Sequence, residues 1–551
     1  EMKNTSVKGQ IKLSKKGEVL TSIDKDSNGN IVFHYTDAGL AGAVYEIKAS
    51  KDVLDSADGS VLYKKGTLMD TIATTADGFA TSKKLPLGEY EVTEKSAPNG
   101  FTHSSESKIV KLEYENQETA IVFDTASFYN ERQKVSLEVI KKDAEEKTPL
   151  SGAKFGIYAK EDITSNTGKV LLEKGTLIET AISNEDGKVS FQADFPLMKM
   201  EIKELKAPIG YATSDEVIQV DATYQGQDVI VIKNSYEFSN EITKTEISKQ
   251  DITDESEIAG ALLSVYPKGN KGETFDTWVS GEDGLNEDGT VKPHIIKGLE
   301  VGTTYVLHEE SSPYGYAIAN DIEFKVLDTG TVQKVTMKDE VVFGQLKWNK
   351  RGEIFDQVIT GQTEFGKTLS PVWNESNLLG ANIKIYAAMD IKIGNQTYFK
   401  ANEEIESLES DWDSVVSKKL PVGRYYYMES SVPHGYIGTT NKVYFEVEDS
   451  QATELQTFTS TLDNKRPTFT IDLKKVLEEQ DIFKNPNAYK DVVFGIFARE
   501  DVYDYMGNVA IENGTMIATT GINKQGQLID VPDLPNAVYY LKELQTNHQY
   551  V

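Results

Sequence analysis

The 551-residue sequence contains no cysteine, which removes disulfides, thiolate metal sites, thiol nucleophiles and cysteine-dependent thioesters. A chain working outside a cell without disulfides needs another staple, or large cores. Positive charge is scarce as well: 58 Lys and Arg stand against 87 Asp and Glu, a net charge of −29. A polyanion repels phosphate backbones and anionic headgroups, so neither nucleic acid nor direct membrane insertion is expected. There is no apolar run long enough to span a bilayer. No leader is visible, and Glu1-Met2-Lys3-Asn4 reads as the start of a mature or trimmed fragment. The six histidines have no metal-binding spacing. Nucleophile elbows, phosphate loops and paired catalytic carboxylates in a known context are also missing, so no external-substrate enzyme, metal or cofactor is expected.

What is present repeats. One phrase, an alternating strand with a glutamate followed by Pro-x-Gly-aromatic, occurs at Glu94 with Pro98 and Phe101, Glu204 with Pro208 and Tyr211, Glu309 with Pro313 and Tyr316, and Glu429 with Pro433 and Tyr436. A fifth copy at Glu543 has lost the Pro and Gly. Upstream of each lies a strand of the type Gly152 to Tyr158, with counterparts beginning at Gly42, Gly260, Gly380 and Val492. Period-two patterning, β-branched and aromatic residues, and turn dipeptides such as Asp77-Gly78 and Asp186-Gly187 predict an all-β chain of tandem immunoglobulin-like β-sandwiches. Helical periodicity is confined to Ser407–Val416 and Leu473–Asp481. The expected domains are 1–133, 134–240, 241–341, 342–465 and an incomplete 466–551, in an elongated array.

Each copy opens with a strand that carries a lysine onto its apolar face: Lys15 with Ile11 and Leu13, Lys141 with Leu137 and Val139, Lys249 with Ile247, Lys350 with Leu346 and Trp348, Lys475 with Ile471 and Leu473. The repeated glutamate faces inward likewise, and two bare charges there would be costly. A third group closes each copy: Asn130, Asn234, Asp339 and Asn464, lying 11, 15, 11 and 11 residues before the next lysine. Burial lowers a lysine pKa and raises that of a glutamate. A neutral amine beside a protonated glutamate and a polarised side-chain carbonyl is then set to form an amide, losing ammonia from Asn or water from Asp. The plainer arrangement of the same residues is a buried Lys–Glu salt bridge capped by a polar amide, which a set repeated in register disfavours.

The glutamate phrase, with its matched upstream lysine, resembles the E-box of the Cna B-type repeats of collagen-binding adhesins, the prealbumin-like SpaA-type modules of Gram-positive pilins and adhesins. The resemblance covers essentially the whole chain. It implies isopeptide sets Lys15–Glu94–Asn130, Lys141–Glu204–Asn234, Lys249–Glu309–Asp339 and Lys350–Glu429–Asn464, with Lys475 and Glu543 of the fifth copy lacking an acceptor before Val551. It further implies an extracellular stalk on a cell wall, its anchor outside this fragment, catalysing nothing beyond its own single-turnover crosslinking. Alternative partners are a host matrix protein or glycan, or other pilus subunits joined by a sortase. The first would be sought near Trp373, Trp412 and Tyr425 to Tyr427. The second would use Lys268 of Val265-Tyr266-Pro267-Lys268, although Tyr266 already has a repeat-strand role. About twenty extra residues follow Lys15 and Lys350, room for a binding loop or an extra hairpin. Within the first, Asp24 to Tyr35 resembles half a calcium loop but lacks the closing Glu, and Asn28-Gly29 reads better as a hairpin turn.

Overall fold

A computed structural model describes residues 5–478 and 487–550. All regular structure in those residues is strand, in several small separate sheets. The chain divides into two compact units. One comprises residues 1–247, 295–305 and 323–335, and the other holds the rest, so the division passes through the third copy.

Alternation builds the copies as expected. In Lys8–Lys25 the side chains of Ile11, Leu13 and Lys15 are all buried, with exposed or half-buried residues between them. This opening strand pairs in parallel with the closing strand Ile121–Asn130. Lys134–Asp143 pairs in the same way with Val231–Asn240, and Phe343–Thr363 with Gln456–Asn464. A second sheet faces this pair. In the first copy its order is Leu68–Ala73, Val44–Ala49, Gly88–Ser96, Ser107–Leu112. The second and fourth copies repeat that order around the glutamate strands Lys199–Lys206 and Gly423–Ser431. Ile11, Leu13, Tyr45, Ile47, Tyr90 and Val92 fill the first core between the sheets.

Two features place the chemistry. The glutamate strand slips register by one residue directly after the glutamate in four copies: Tyr45 faces Glu94 and Val44 faces Ser96, with the same slip at Glu204, Glu429 and Glu543. Such a bulge re-aims the neighbouring side chain. The extra residues of the first and fourth copies are hairpins. Each opening strand runs on past its lysine and returns as Ile31–Gly39 or Gly366–Asn377. Asn28-Gly29 is the tip of the first hairpin, where Asp26 accepts the Asn28 and Asn30 backbone amides and Gly29 takes a positive φ.

Neither helical reading stands. Ser407–Val416 contains the end of the strand Glu404–Glu409 and the short strand Val415–Val416, because Leu408 alternates into the fourth core. Leu473–Asp481 shows only a bridge from Lys474 to Gln527, and its last residues lie outside those described.

Candidate functional site

The predicted lysines and glutamates meet in every copy. Lys15 Nζ lies 3.2 Å from Glu94 Oε1, Lys141 3.4 Å from Glu204, Lys249 2.9 Å from Glu309 and Lys350 2.6 Å from Glu429. Those four lysine side chains are at most 2% exposed. In the fifth copy Lys475 lies 2.7 Å from Glu543, but both remain partly open to solvent.

The acceptors complete three sets as expected. Lys15 donates to Asn130 Oδ1 and Lys350 to Asn464 Oδ1, while Lys249 pairs directly with Asp339. In the first copy Asn130 Nδ2 donates to Glu94 Oε1 at 2.8 Å, so one carboxylate oxygen touches both the amine and the amide nitrogen that would leave. Asn464 Nδ2 and Glu429 Oε1 repeat this at 2.9 Å.

The second copy departs from the expectation: the residue that meets Glu204 is Asn240, not Asn234. Asn240 is buried and donates to Glu204 Oε2 at 2.7 Å, whereas Asn234 pairs with Leu137 farther back along the strand. Strand register gives the reason. The acceptor stands opposite the residue two past the lysine, as Asn130 faces Gly17 and Asn464 faces Gly352, and here Asn240 faces Asp143. Lys141 Nζ and Asn240 Oδ1 are both buried without a hydrogen bond.

A holding contact was not read from the sequence. Glu94 Oε2 accepts the backbone N–H of Ser104 at 2.8 Å, and Ser214, Ala319 and Thr439 serve Glu204, Glu309 and Glu429 at 2.9, 2.6 and 2.8 Å. Each donor is ten residues past its glutamate, a spacing visible in the repeats. It fixes one carboxylate oxygen and leaves the other for the amine.

Burial governs the electrostatics. It lowers the pKa of Lys15, Lys141 and Lys350, against the opposing pull of their glutamates, and takes Lys141 to about 8. Burial also pushes Asp339 up to about 7 against the pull of Lys249. With two acids and one cation in that pocket, an acidic proton stays, and a protonated carboxyl is the form that can lose water.

Lys141 gives a pH prediction. In an Asn240→Ala variant Lys141 stays beside Glu204 but has no acceptor, and the burial that takes it to about 8 in the parent holds it below the ordinary 10.5. Between those values the unfolded chain binds more protons, so stability rises with pH and is lost as pH falls through about 8. The melting temperature of the second copy in this variant should climb from about pH 7.5 to about pH 9.5; a flat or falling profile would count against a desolvated lysine.

Comparison with known proteins agrees with this architecture. A family model described as a SpaA prealbumin-like fold domain matches residues 29–126, 135–236, 243–341 and 372–461. The chain is similar to the trypsin-resistant surface T6 protein of Streptococcus pyogenes serotype M6, with 27% identity over 299 residues, 52% of this chain and 46% of that protein. It therefore spans less than half the length of this curated relative. Among solved structures, the Bacillus anthracis TIE protein aligns at 18% identity with a TM-score of 0.38, covering 81% of this chain and 73% of that one. BcpA, the major pilin subunit of Bacillus cereus, aligns at 15% identity with a TM-score of 0.29, covering 61% and 99%. With four matches that together span more than half of its length, the chain belongs to the SpaA prealbumin-like domain family.

Proposed function

We propose that this chain is a load-bearing part of a Gram-positive cell-wall surface protein or pilus, in which four copies each close an internal amide bond: Lys15–Asn130, Lys141–Asn240, Lys249–Asp339 and Lys350–Asn464. The observation that carries this reading is the repeated, solvent-excluded meeting of lysine, glutamate and amide or acid. Family membership and the likeness to a streptococcal surface protein support the location.

The chemistry follows from the contacts. The glutamate takes a proton from the lysine ammonium, and desolvation favours that transfer because it removes two charges at once. The neutral Nζ attacks the side-chain carbonyl carbon, and the protonated glutamate, which touches the amide Nδ2 in the first and fourth copies, is placed to protonate the leaving nitrogen. The glutamate then passes its proton to the departing nitrogen and takes the second proton from the attacking Nζ, ending protonated. A C–N bond forms, the old C–N bond breaks, and ammonia leaves; in the third copy a C–O bond breaks and water leaves.

The first-copy and fourth-copy hairpins do not read as host-binding loops, since Ile31, Phe33 and Phe355 are buried in neighbouring cores. Tyr425 and Tyr427, counted among the candidate binding aromatics, are fully buried.

Intact mass followed by peptide mapping tests the proposal. Three ammonia losses and one water loss, mapped to the four named pairs, are expected. An unmodified mass would reduce the sets to buried salt bridges.

A further inference from the structure

The two hairpins make matching contacts with the copy that follows. In the first, Ile31 and Phe33 are buried in the core of the second copy, with the Phe33 and Phe195 rings 6.4 Å apart. Tyr35 Oη donates to the Asp194 carbonyl at 2.8 Å, and Asn166 N donates to the Leu20 carbonyl at 3.1 Å. In the second, Phe355 is buried in the core of the fifth copy. Trp373 Nε1 donates to the Asp533 carbonyl at 3.2 Å, and Tyr505 N to the Phe355 carbonyl at 2.7 Å. Leu20 and Phe355 each lie five residues past their lysine.

An arginine locks both joints. Arg132 stacks over Tyr35 at 3.8 Å, pairs with Glu18 at 3.3 Å in its own copy and pairs with Asp194 of the next. Arg466 stacks over Trp373 at 3.5 Å, pairs with Glu353 at 3.1 Å in its own copy and pairs with Asp533 of the next. Both guanidiniums are less than a tenth exposed. A planar fork that stacks on one face and binds carboxylates at its edge is particular to arginine. The sequence marks the device: arginine stands two residues past the acceptor only in the copies that have a hairpin, with Ile242 and Val341 at that place in the second and third.

We infer that the first and second copies, and separately the fourth and fifth, are each clamped into one rigid body by the inserted hairpin and its arginine latch. A stacked, doubly paired arginine at the joint resists bending there, and the hairpin extends the contact well beyond the short connection. The clamp does not depend on the amide bonds, and it is read out separately.

The absence of cysteine makes the test direct. Spin labels on Lys64→Cys and Glu185→Cys, both exposed sites in the first and second copies, report the spread of distances between them in the full chain. A narrow distribution is expected for the parent. Arg132→Ala should broaden it at least twofold while the mass still shows the same ammonia and water losses. Asp194→Ala, which removes the anchor on the second copy without touching the first core, should broaden it in the same direction. Arg132→Lys, which keeps the charge but loses the fork and the stacking plane, should fall between. A broad distribution in the parent, or equally narrow ones in Arg132→Ala and Asp194→Ala, would overturn the clamp whatever the crosslinks do.

Discussion

In the full chain Glu94→Ala is expected to show one ammonia loss fewer, measured against the mass calculated from its own sequence, and to lower the melting temperature of the first copy by about 20 °C or more. Glu94 touches both Lys15 and Asn130, so without it no group can carry the proton from the amine to the leaving nitrogen. The lost tie closes a loop of 115 residues. Chain-entropy arithmetic gives about 4.7 kcal/mol for a loop of roughly that length. At about 4–8 °C per kcal/mol for a domain near 100 residues, the shift is large. The unlinked lysine adds to it, since its partner carboxylate has gone and its pocket is closed to water. Glu94→Gln separates the two contributions. It keeps a polar group of the same size but cannot shuttle a proton, so it should lack the same ammonia loss with a smaller drop in melting temperature. A variant that still loses all its ammonia would show that the glutamate is not the proton carrier.

The second large effect distinguishes two asparagines on one strand. Asn240→Ala is expected to show one ammonia loss fewer than the parent, each measured against its calculated mass, and to free Lys141 in peptide maps, with a stability loss comparable to that of Glu94→Ala. Asn234→Ala should leave both the mass and the melting temperature nearly unchanged, because its side chain is only half-buried and away from the lysine. The reverse outcome would mean that the closing strand shifts register before the bond forms. That would move Asn234 along the ladder by six positions, keeping the same face inward but unpairing more than half of the ladder between Lys134–Asp143 and Val231–Asn240.

These two asparagines also show where the sequence stopped being legible. Strand alternation placed all five lysines and glutamates on inner faces, and the glutamate phrase identified the copies. Asn234 and Asn240 are six apart and so share a face, which leaves alternation unable to choose between them. The distance to the next lysine could not choose either, because it includes a connection whose length differs between copies. Distance within a copy does not choose either, since glutamate to third residue is 36 in the first copy, 35 in the fourth and 30 in the third, and Glu204 lies 30 residues from Asn234. What chooses Asn240 is the parallel ladder, which sets it opposite the residue two past Lys141, as it sets Asn130 and Asn464 for Lys15 and Lys350. The hairpins were harder still. Leu20, Ile23, Phe33 and Tyr35 look like an ordinary amphipathic hairpin, but their apolar face belongs to the core of the next copy, and no local pattern names a partner beyond a copy's own boundary.

The parallel pairing of opening and closing strands has a consequence for damage. Once Lys15 is joined to Asn130, the first copy is covalently a closed ring. It leads into a short single-chain neck, and the necks run from one ring's acceptor to the next ring's lysine. A protease that cuts any loop within a ring opens it but does not sever the molecule, because the other arc still joins its two ends. Between Lys15 and Asn464, only the necks remain places where one cut parts the chain. The first of them, between Asn130 and Lys141, includes Arg132 and Gln133, both nearly buried, so its most vulnerable stretch is partly covered by the neighbouring copy.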